Sequence, residues 1–423
     1  MKDYFLSLQE KYHINDVLMD EIMKAYDAVQ PYWEPISNQT WTAQIKILNA
    51  FQKHQASDFH LNGSSGYGYG DTGRDVLELI WADLFHAEKA LVRSNVASGT
   101  HALALALYGN LLPGDTVVSI SGMPYDTLQT IIGHDKEPGT LSELNITHKV
   151  VDLIGDEFDM DGIRKTVTPD TKMVCIQRSR GYDWRKSLSI AKIEGAIKTV
   201  REISPDIIIF VDNCYGEFVE LKEPLEVGAD LIAGSLIKNP GGGLAPRGGY
   251  VAGRADLVDR AAIRLTSPGI AEDVGSALDF NRLAYQGLFM APLIVEQALK
   301  GAVFAAQLLE QLGYKVSPKA DEPRTDIIQA IQLDNPDNVR RFCLGIQKAS
   351  PLDAHVTPYD CELPGYDDPV IMAGGTFTQG SSIELSIDGP MREPFIVYLQ
   401  GGLSVAHVVA GVVAAVGEME QAK

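Results

Sequence analysis

Cysteine is scarce in this chain: four among 423 residues, at Cys175, Cys214, Cys343 and Cys361. No two share a Cys-x-x-Cys spacing, which excludes a thiolate metal knot and a thioredoxin-type redox pair. Cys175 and Cys214 lie inside apolar runs, the usual setting of buried free thiols. So few cysteines in so long a chain fit a reducing cytoplasm, and a cytoplasmic location is expected. Basic charge is short as well: 36 Lys and Arg stand against 56 Asp and Glu, a formal net of −20. The electrostatic footprint that nucleic acid requires is missing at the level of the whole chain. Long apolar runs are missing too. The longest, residues 403–416, is too short to cross a bilayer, contains His407, and reads as a buried helix. Residues 1–12 carry acidic groups and no apolar stretch, so a secretory signal is not expected. The nine histidines are scattered without a His-x-x-x-His pair, and no metal site is expected.

What is present is ordinary for a globular protein: 45% apolar and 22% charged residues. The length favours two or three domains. The chain opens with helical sequence over residues 1–56, with Trp33, Pro35 and a Ser-Asn turn between two amphipathic pieces. Residues 63–73, Gly-Ser-Ser-Gly-Tyr-Gly-Tyr-Gly-Asp-Thr-Gly, are too glycine-rich for helix or strand and read as an ordered functional loop. Beyond it, short apolar runs alternate with helical segments. Strands are expected at 90–93, 116–120, 149–153, 173–177, 207–212, 231–233 and 249–252. This pattern predicts an α/β fold with a mostly parallel sheet covered by helices on both faces. A helical stretch over 276–312, broken near Pro292, leads to strands at 327–333 and 382–387 and helices at 338–348 and 403–420. The expected organisation is therefore a helical segment at 1–62, a large domain at 63–290 and a smaller α+β domain at 291–423.

Ligands of open parallel sheets bind at the carboxyl ends of the strands. The run Ile-Ile-Ile-Phe-Val ends in Asp212, a carboxylate that is costly to bury without a partner. The next strand ends in Gly234-Ser235-Leu236-Ile237-Lys238, followed by Asn-Pro-Gly-Gly-Gly, a loop that lets a ligand approach its backbone. Ser98-Gly99-Thr100 opens an alanine- and leucine-rich helix, whose free N–H groups suit a phosphate. Tyr125 follows the strand ending near Ile120 and places an aromatic ring at the same rim. A lysine, an acid, a phosphate cup and a flat ring together suit pyridoxal phosphate. The glycines of residues 63–73 do not follow an apolar strand, and no P-loop occurs, which disfavours a nucleotide-binding reading.

The ordered set Ser98-Gly99-Thr100, Tyr125, Asp212 and Ser235-x-x-Lys238 resembles fold-type I pyridoxal-phosphate enzymes, with their aspartate-aminotransferase-like large domain. The Gly-Tyr-Gly-Tyr-Gly-Asp loop, Ser-Gly-Thr-His-Ala and Gly-Ser-Leu-Ile-Lys-Asn-Pro-Gly-Gly-Gly are similar to one subgroup of the Cys/Met metabolism (cystathionine-lyase) family. Its bacterial members are named methionine gamma-lyase-like or "aluminium resistance" proteins. The chain departs from the better-studied lyases in having Ile237 before the lysine, and Gly70 and Asp71 after Tyr69 where they carry an arginine. Asp212 and Tyr215 have the Asp-x-x-Tyr spacing of aminotransferases.

The resemblance implies the following roles. Lys238 is the Schiff-base lysine and the base at the substrate α-carbon, with desolvation favouring its neutral form. Asp212 keeps the pyridine nitrogen protonated. Tyr125 stacks on the ring and serves as an acid toward the leaving group, and Tyr215 meets the ring hydroxyl. Ser98, Gly99, Thr100 and Ser235 hold the phosphate, and Tyr69 reaches the phosphate of a neighbouring subunit in a homodimer or homotetramer with shared active sites. Arg392 is the first choice for the substrate carboxylate. Arg178 and Arg180, in the cluster that includes Arg185 and Lys186, are the alternatives, and Arg247 is weaker. The implied reaction is carbon–sulfur lysis of a sulfur amino acid, of the methionine gamma-lyase or cystathionine beta-lyase type. An aminotransferase, or a cofactor-binding stress protein without turnover, are the alternatives. Neither a nucleic-acid nor a membrane partner is expected.

Overall fold

The computed structural model describes residues 1–133, 138–362, 366 and 368–421. The chain forms two compact units, one of residues 42–181 and 187–291, the other of residues 1–41, 182–186 and 292–423. Residues 1–41 thus group with the C-terminal part of the chain, and residues 42–62 with the first unit.

The first unit is built on a seven-stranded sheet. Its spatial order is Lys89–Arg93, Gly249–Gly253, Leu231–Ser235, Ile208–Asp212, Met173–Gln177, Thr116–Ser119 and Thr147–Val150. The last five run parallel, and Gly249–Gly253 is antiparallel to both of its neighbours. Ile208–Asp212 and Leu231–Ser235 are buried at every position, as strands covered on both faces must be. Helices such as Gly99–Asn110 and Ile190–Ile203 cover the sheet. Two apolar clusters form its core, one around Trp81, Ile209 and Tyr250, the other around Leu103, Phe210 and Val258.

The other unit carries a five-stranded antiparallel sheet in the order Lys315–Ser317, Gln329–Gln332, Ile396–Gln400, Ser386–Pro390 and Val370–Ala373. Helices Pro336–Lys348 and Val405–Glu420 pack beside it. Phe5, Leu8 and Ile22 of the opening helices join the same core as Phe304, Phe342 and Val412.

Several local expectations are corrected. The helix Gln30–Lys53 runs through Pro35 and the Ser-Asn pair. The Ser37 hydroxyl donates to Trp33 O (3.3 Å) and Glu296 (2.8 Å), so it is satisfied without a turn. The helix Phe280–Gln311 likewise continues through Pro292. It is long and apolar enough to cross a membrane by composition, but 72% of its most apolar window is buried inside the protein, the mark of a core helix. Residues 382–385 are no strand, because Glu384 turns inward to accept the Phe377 and Thr378 amides (2.8 and 2.9 Å); the strand begins at Ser386. The strand expected at 149–153 starts and stops earlier, at Thr147–Val150, and Leu153–Ile154 instead forms a small ladder with Glu157–Phe158.

Candidate active site

The parallel strands of the first unit deliver three functional segments to one rim. Register places Gln177 beside Asp212 and Asp212 beside Ala233, two residues before Ser235. The chain leaves the last strand at Ser235 and turns at once, so Lys238 stands three residues beyond it.

Asp212 is buried and its Oδ1 accepts the Cys214 amide at 3.1 Å. Burial pushes its carboxyl up, and the Lys238 charge only partly offsets this. Lys238 Nζ lies 4.3 Å from the centroid of the Tyr215 ring, a cation–π contact. Tyr215 holds the left-handed backbone conformation (φ 70°). Burial alone would favour a neutral Lys238. The groups around it, Cys214 first, then Tyr215, Tyr125 and Asp212, favour its charge and push it above its ordinary range.

The helix Gly99–Asn110 points its N-terminus at the same place. Ser98 is the N-cap, its Oγ accepting the His101 amide (3.1 Å), and His101 Nδ1 reaches back to accept the Ala97 amide (3.0 Å). A Cβ on Gly99 would lie 3.1 Å from Ser235 Cβ and 3.8 Å from Cys214 Sγ. The helix start therefore abuts the ends of two strands, and a glycine there allows the close approach. Thr100 Oγ1 lies 3.2 Å from the Tyr125 hydroxyl, and the Tyr125 amide donates to Gln177 Oε1 (2.9 Å). Burial, reinforced by the Asp212 charge, raises the Tyr125 phenol, so it keeps its proton. The donor set fits pyridoxal phosphate: a lysine amine, a buried carboxylate, a helix N-terminus with a serine hydroxyl, and a protonated phenol, all in one unit.

Sequence reasoning missed several supporting residues. His101 had no role assigned and proves to fix the helix start. Gln177 anchors the Tyr125 turn. Asn239 is fully buried and donates to Tyr215 O (2.9 Å) and Glu217 O (3.0 Å), tying the lysine loop to the tyrosine loop. Its position directly after Lys238 was the available signal. Arg178 is one of the alternative candidates for the substrate carboxylate. It is instead fully buried and bonds Asn213 (2.8 Å), Glu220 (2.9 Å) and Glu223 (3.3 Å), against the face of Gly216. It positions the loop after Asp212, and its guanidinium is committed to that loop rather than to a substrate.

Arg180 is 1% exposed and precedes Gly181, which sits against Tyr125. Arg392, in the other unit, bonds Asp368 (3.1 Å) and Tyr182 O (3.2 Å). It lines a cavity of about 490 Å3 with Tyr182, Trp184 and Tyr398, the two tyrosine rings stacked at 5.2 Å. Tyr69 is 66% exposed beside Tyr67 on the glycine-rich loop. Buried Asp71 holds this loop by accepting from the Ser64 amide (3.0 Å) and hydroxyl (2.6 Å), the Arg74 amide (3.0 Å) and the Ala277 amide (3.0 Å).

The chain is similar to known proteins over most of its length. Residues 18–420 match the methionine gamma-lyase family. An uncharacterized Bacillus subtilis protein is 50% identical over 89% of this chain and 90% of its own length. A solved structure from Clostridium acetobutylicum superposes with a TM-score of 0.95 at 48% identity, covering 98% of each chain. One from Clostridium novyi, described as a carbon-sulfur lyase involved in aluminium resistance, reaches 0.93 at 47% identity with the same coverage. The chain belongs to the methionine gamma-lyase family.

Proposed function

We propose that this protein is a pyridoxal-phosphate-dependent carbon–sulfur lyase acting on a sulfur amino acid. One observation carries the reading: Lys238, Asp212, Tyr125 and the Gly99–Ser235 cradle converge on one rim of one sheet. When bound there, pyridoxal phosphate supplies an electron sink for charge that develops at a substrate α-carbon. The chain's own groups do the rest. Lys238 Nζ holds the cofactor and moves the α-proton. Asp212 fixes a positive charge at the pyridine nitrogen. Ser235 and the amides at Gly99 and Thr100 hold the phosphate dianion. Tyr125 retains a proton that it can give to a departing thiolate. Arg392 is the first candidate for the substrate carboxylate, because its planar fork matches a carboxylate in a bidentate way. Arg180 is the alternative.

The test starts from the visible spectrum of protein supplied with pyridoxal phosphate. A yellow band that borohydride abolishes, absent from Lys238→Ala, is expected; a colourless wild type would sink the reading. Release of ammonia and a 2-oxoacid without an amino acceptor then marks a lyase. The Tyr215 ring against Lys238, at Asp-x-x-Tyr spacing, favours one second reading, an aminotransferase, which requires an added 2-oxoacid acceptor. A cytoplasmic homodimer or homotetramer is part of the proposal. The loop bearing exposed Tyr67 and Tyr69 is held firmly at its base, as a loop that completes a neighbour's site must be.

A further inference from the structure

Five residues past Asp212, Glu217 is completely buried. Its Oε1 accepts from the Tyr250 hydroxyl at 2.7 Å, and its Oε2 is buried without a hydrogen-bond partner among the described residues. Tyr250 is also fully buried, with its ring 4.7 Å from Trp81 and 5.8 Å from Phe85. Room for the pair exists because residue 234 is glycine: a Cβ there would fall 2.8 Å from Glu217 Oε1 and 2.7 Å from the Tyr250 ring. The Glu217 carbonyl is bonded by Asn239, the residue after Lys238, and Asn239 also bonds Tyr215. A second carboxyl is thus built into the base of the lysine loop, and the proposed reaction leaves it without a task.

An ionised carboxylate in this place lacks a paired cation, which is costly to bury. The titratable groups that face it come from its own segment (Glu223 and Cys214), from the neighbouring strand (Tyr250) and from the lysine loop (Lys238). Glu223 opposes ionisation, and Tyr250 and Lys238 favour it. Burial dominates and pushes Glu217 up to about 8.

We propose that Glu217 is a positioning residue for Lys238: as a neutral acid it leaves the ammonium over Tyr215, and as an anion it competes with Asp212 for that ammonium. The site then has an alkaline limit set by a residue that touches neither substrate nor cofactor. The cofactor part of this inference rests on the function proposed above; the titration itself does not.

The test uses the full-length protein and three forms: wild type, Glu217→Gln and Tyr250→Phe. Thermal unfolding without cofactor is followed from pH 5 to 9, together with the borohydride-sensitive band in the presence of pyridoxal phosphate. Wild-type melting temperature is expected to fall from pH 5 toward 8, and Glu217→Gln to lose that slope. The visible band of the wild type is expected to change through about pH 8, and that step to be absent from Glu217→Gln. Tyr250→Phe removes a donor that stabilises the anion, so the step moves upward by half a pH unit or more. Superimposable pH profiles for wild type and Glu217→Gln overturn the proposal, as does a downward move in Tyr250→Phe. The second variant keeps the test decisive if the first fails to fold. A wild type without a visible band at any pH sinks the cofactor reading, while the thermal profiles still decide whether Glu217 is neutral.

Discussion

Asp212 is the residue on which the proposed chemistry most depends, because the cofactor's capacity as an electron sink requires a charge held opposite it. Removing one preorganised electrostatic group of this kind costs roughly 10²–10³ in turnover. Asp212→Ala is expected to lose at least that, measured as 2-oxoacid release, while Asp212→Glu recovers part of it. Gly99 makes a different demand. An alanine there sets its Cβ 3.1 Å from Ser235 Cβ, so either the helix start or the strand end must give way. Gly99→Ala is expected to raise the dissociation constant for pyridoxal phosphate about tenfold or more, read by titrating the visible band. An unchanged constant would show that the cradle does not hold the phosphate. If Arg392 rather than Arg180 binds the carboxylate, Arg392→Lys raises KM more than it lowers kcat, since the lysine keeps the charge and loses the bidentate fork.

Among the elements, the helix Gly99–Asn110 and the loop at residues 63–73 are held by capping groups, and both make quantitative demands. Ser98 caps the helix and His101 reinforces it from within. Ser98→Ala is expected to cost about 1 kcal/mol of stability, the ordinary worth of an N-cap, in a urea titration. Asp71 does the same service for the loop and the helix Thr72–Leu84. Burial would raise its carboxyl, but the donors of Ser64, Arg74 and Ala277 hold it down to about 2. A carboxyl lowered on folding adds stability above its ordinary pKa of 3.8, and that stability is lost as pH falls toward 2. Asp71→Asn is therefore expected to lower the urea midpoint at pH 6, with the gap to wild type closing between pH 4 and 2. A constant gap would show that the charge is not what holds the loop. The serine cap was legible in the sequence, as a serine before an apolar helix; the Asp71 cap was not, since one of its donors, the Ala277 amide, lies 206 residues away. The continuity of Gln30–Lys53 through Pro35 was not, since Ser37 finds Glu296 only after a separation of 259 residues.

At the scale of the whole molecule, composition and periodicity carried the architecture. Alternating apolar runs gave a mostly parallel helix-covered sheet followed by a smaller sheet, as observed; that the first 41 residues join the unit of the smaller sheet was not legible. The strand-end rule then led from sheet to site, because Asp212 and Lys238 each follow an apolar strand directly and parallel register brings strand ends together. What the chain by itself determined is therefore the local chemistry: a lysine, an acid, a helix start and a ring, each tied to a strand or helix terminus by its neighbours along the backbone. Only tertiary structure decided which buried polar groups serve others. Arg178 follows a strand as Arg180 does, yet Glu220 and Glu223, more than forty residues on, claim it for an internal network. Glu217 reads as one more acid in a loop until Tyr250, from the antiparallel strand, and the missing side chain of Gly234 close around it. The reason is physical: the charge state of a carboxyl, and the partner of a guanidinium, depend on burial and on groups distant in sequence, and a pattern of neighbours carries neither.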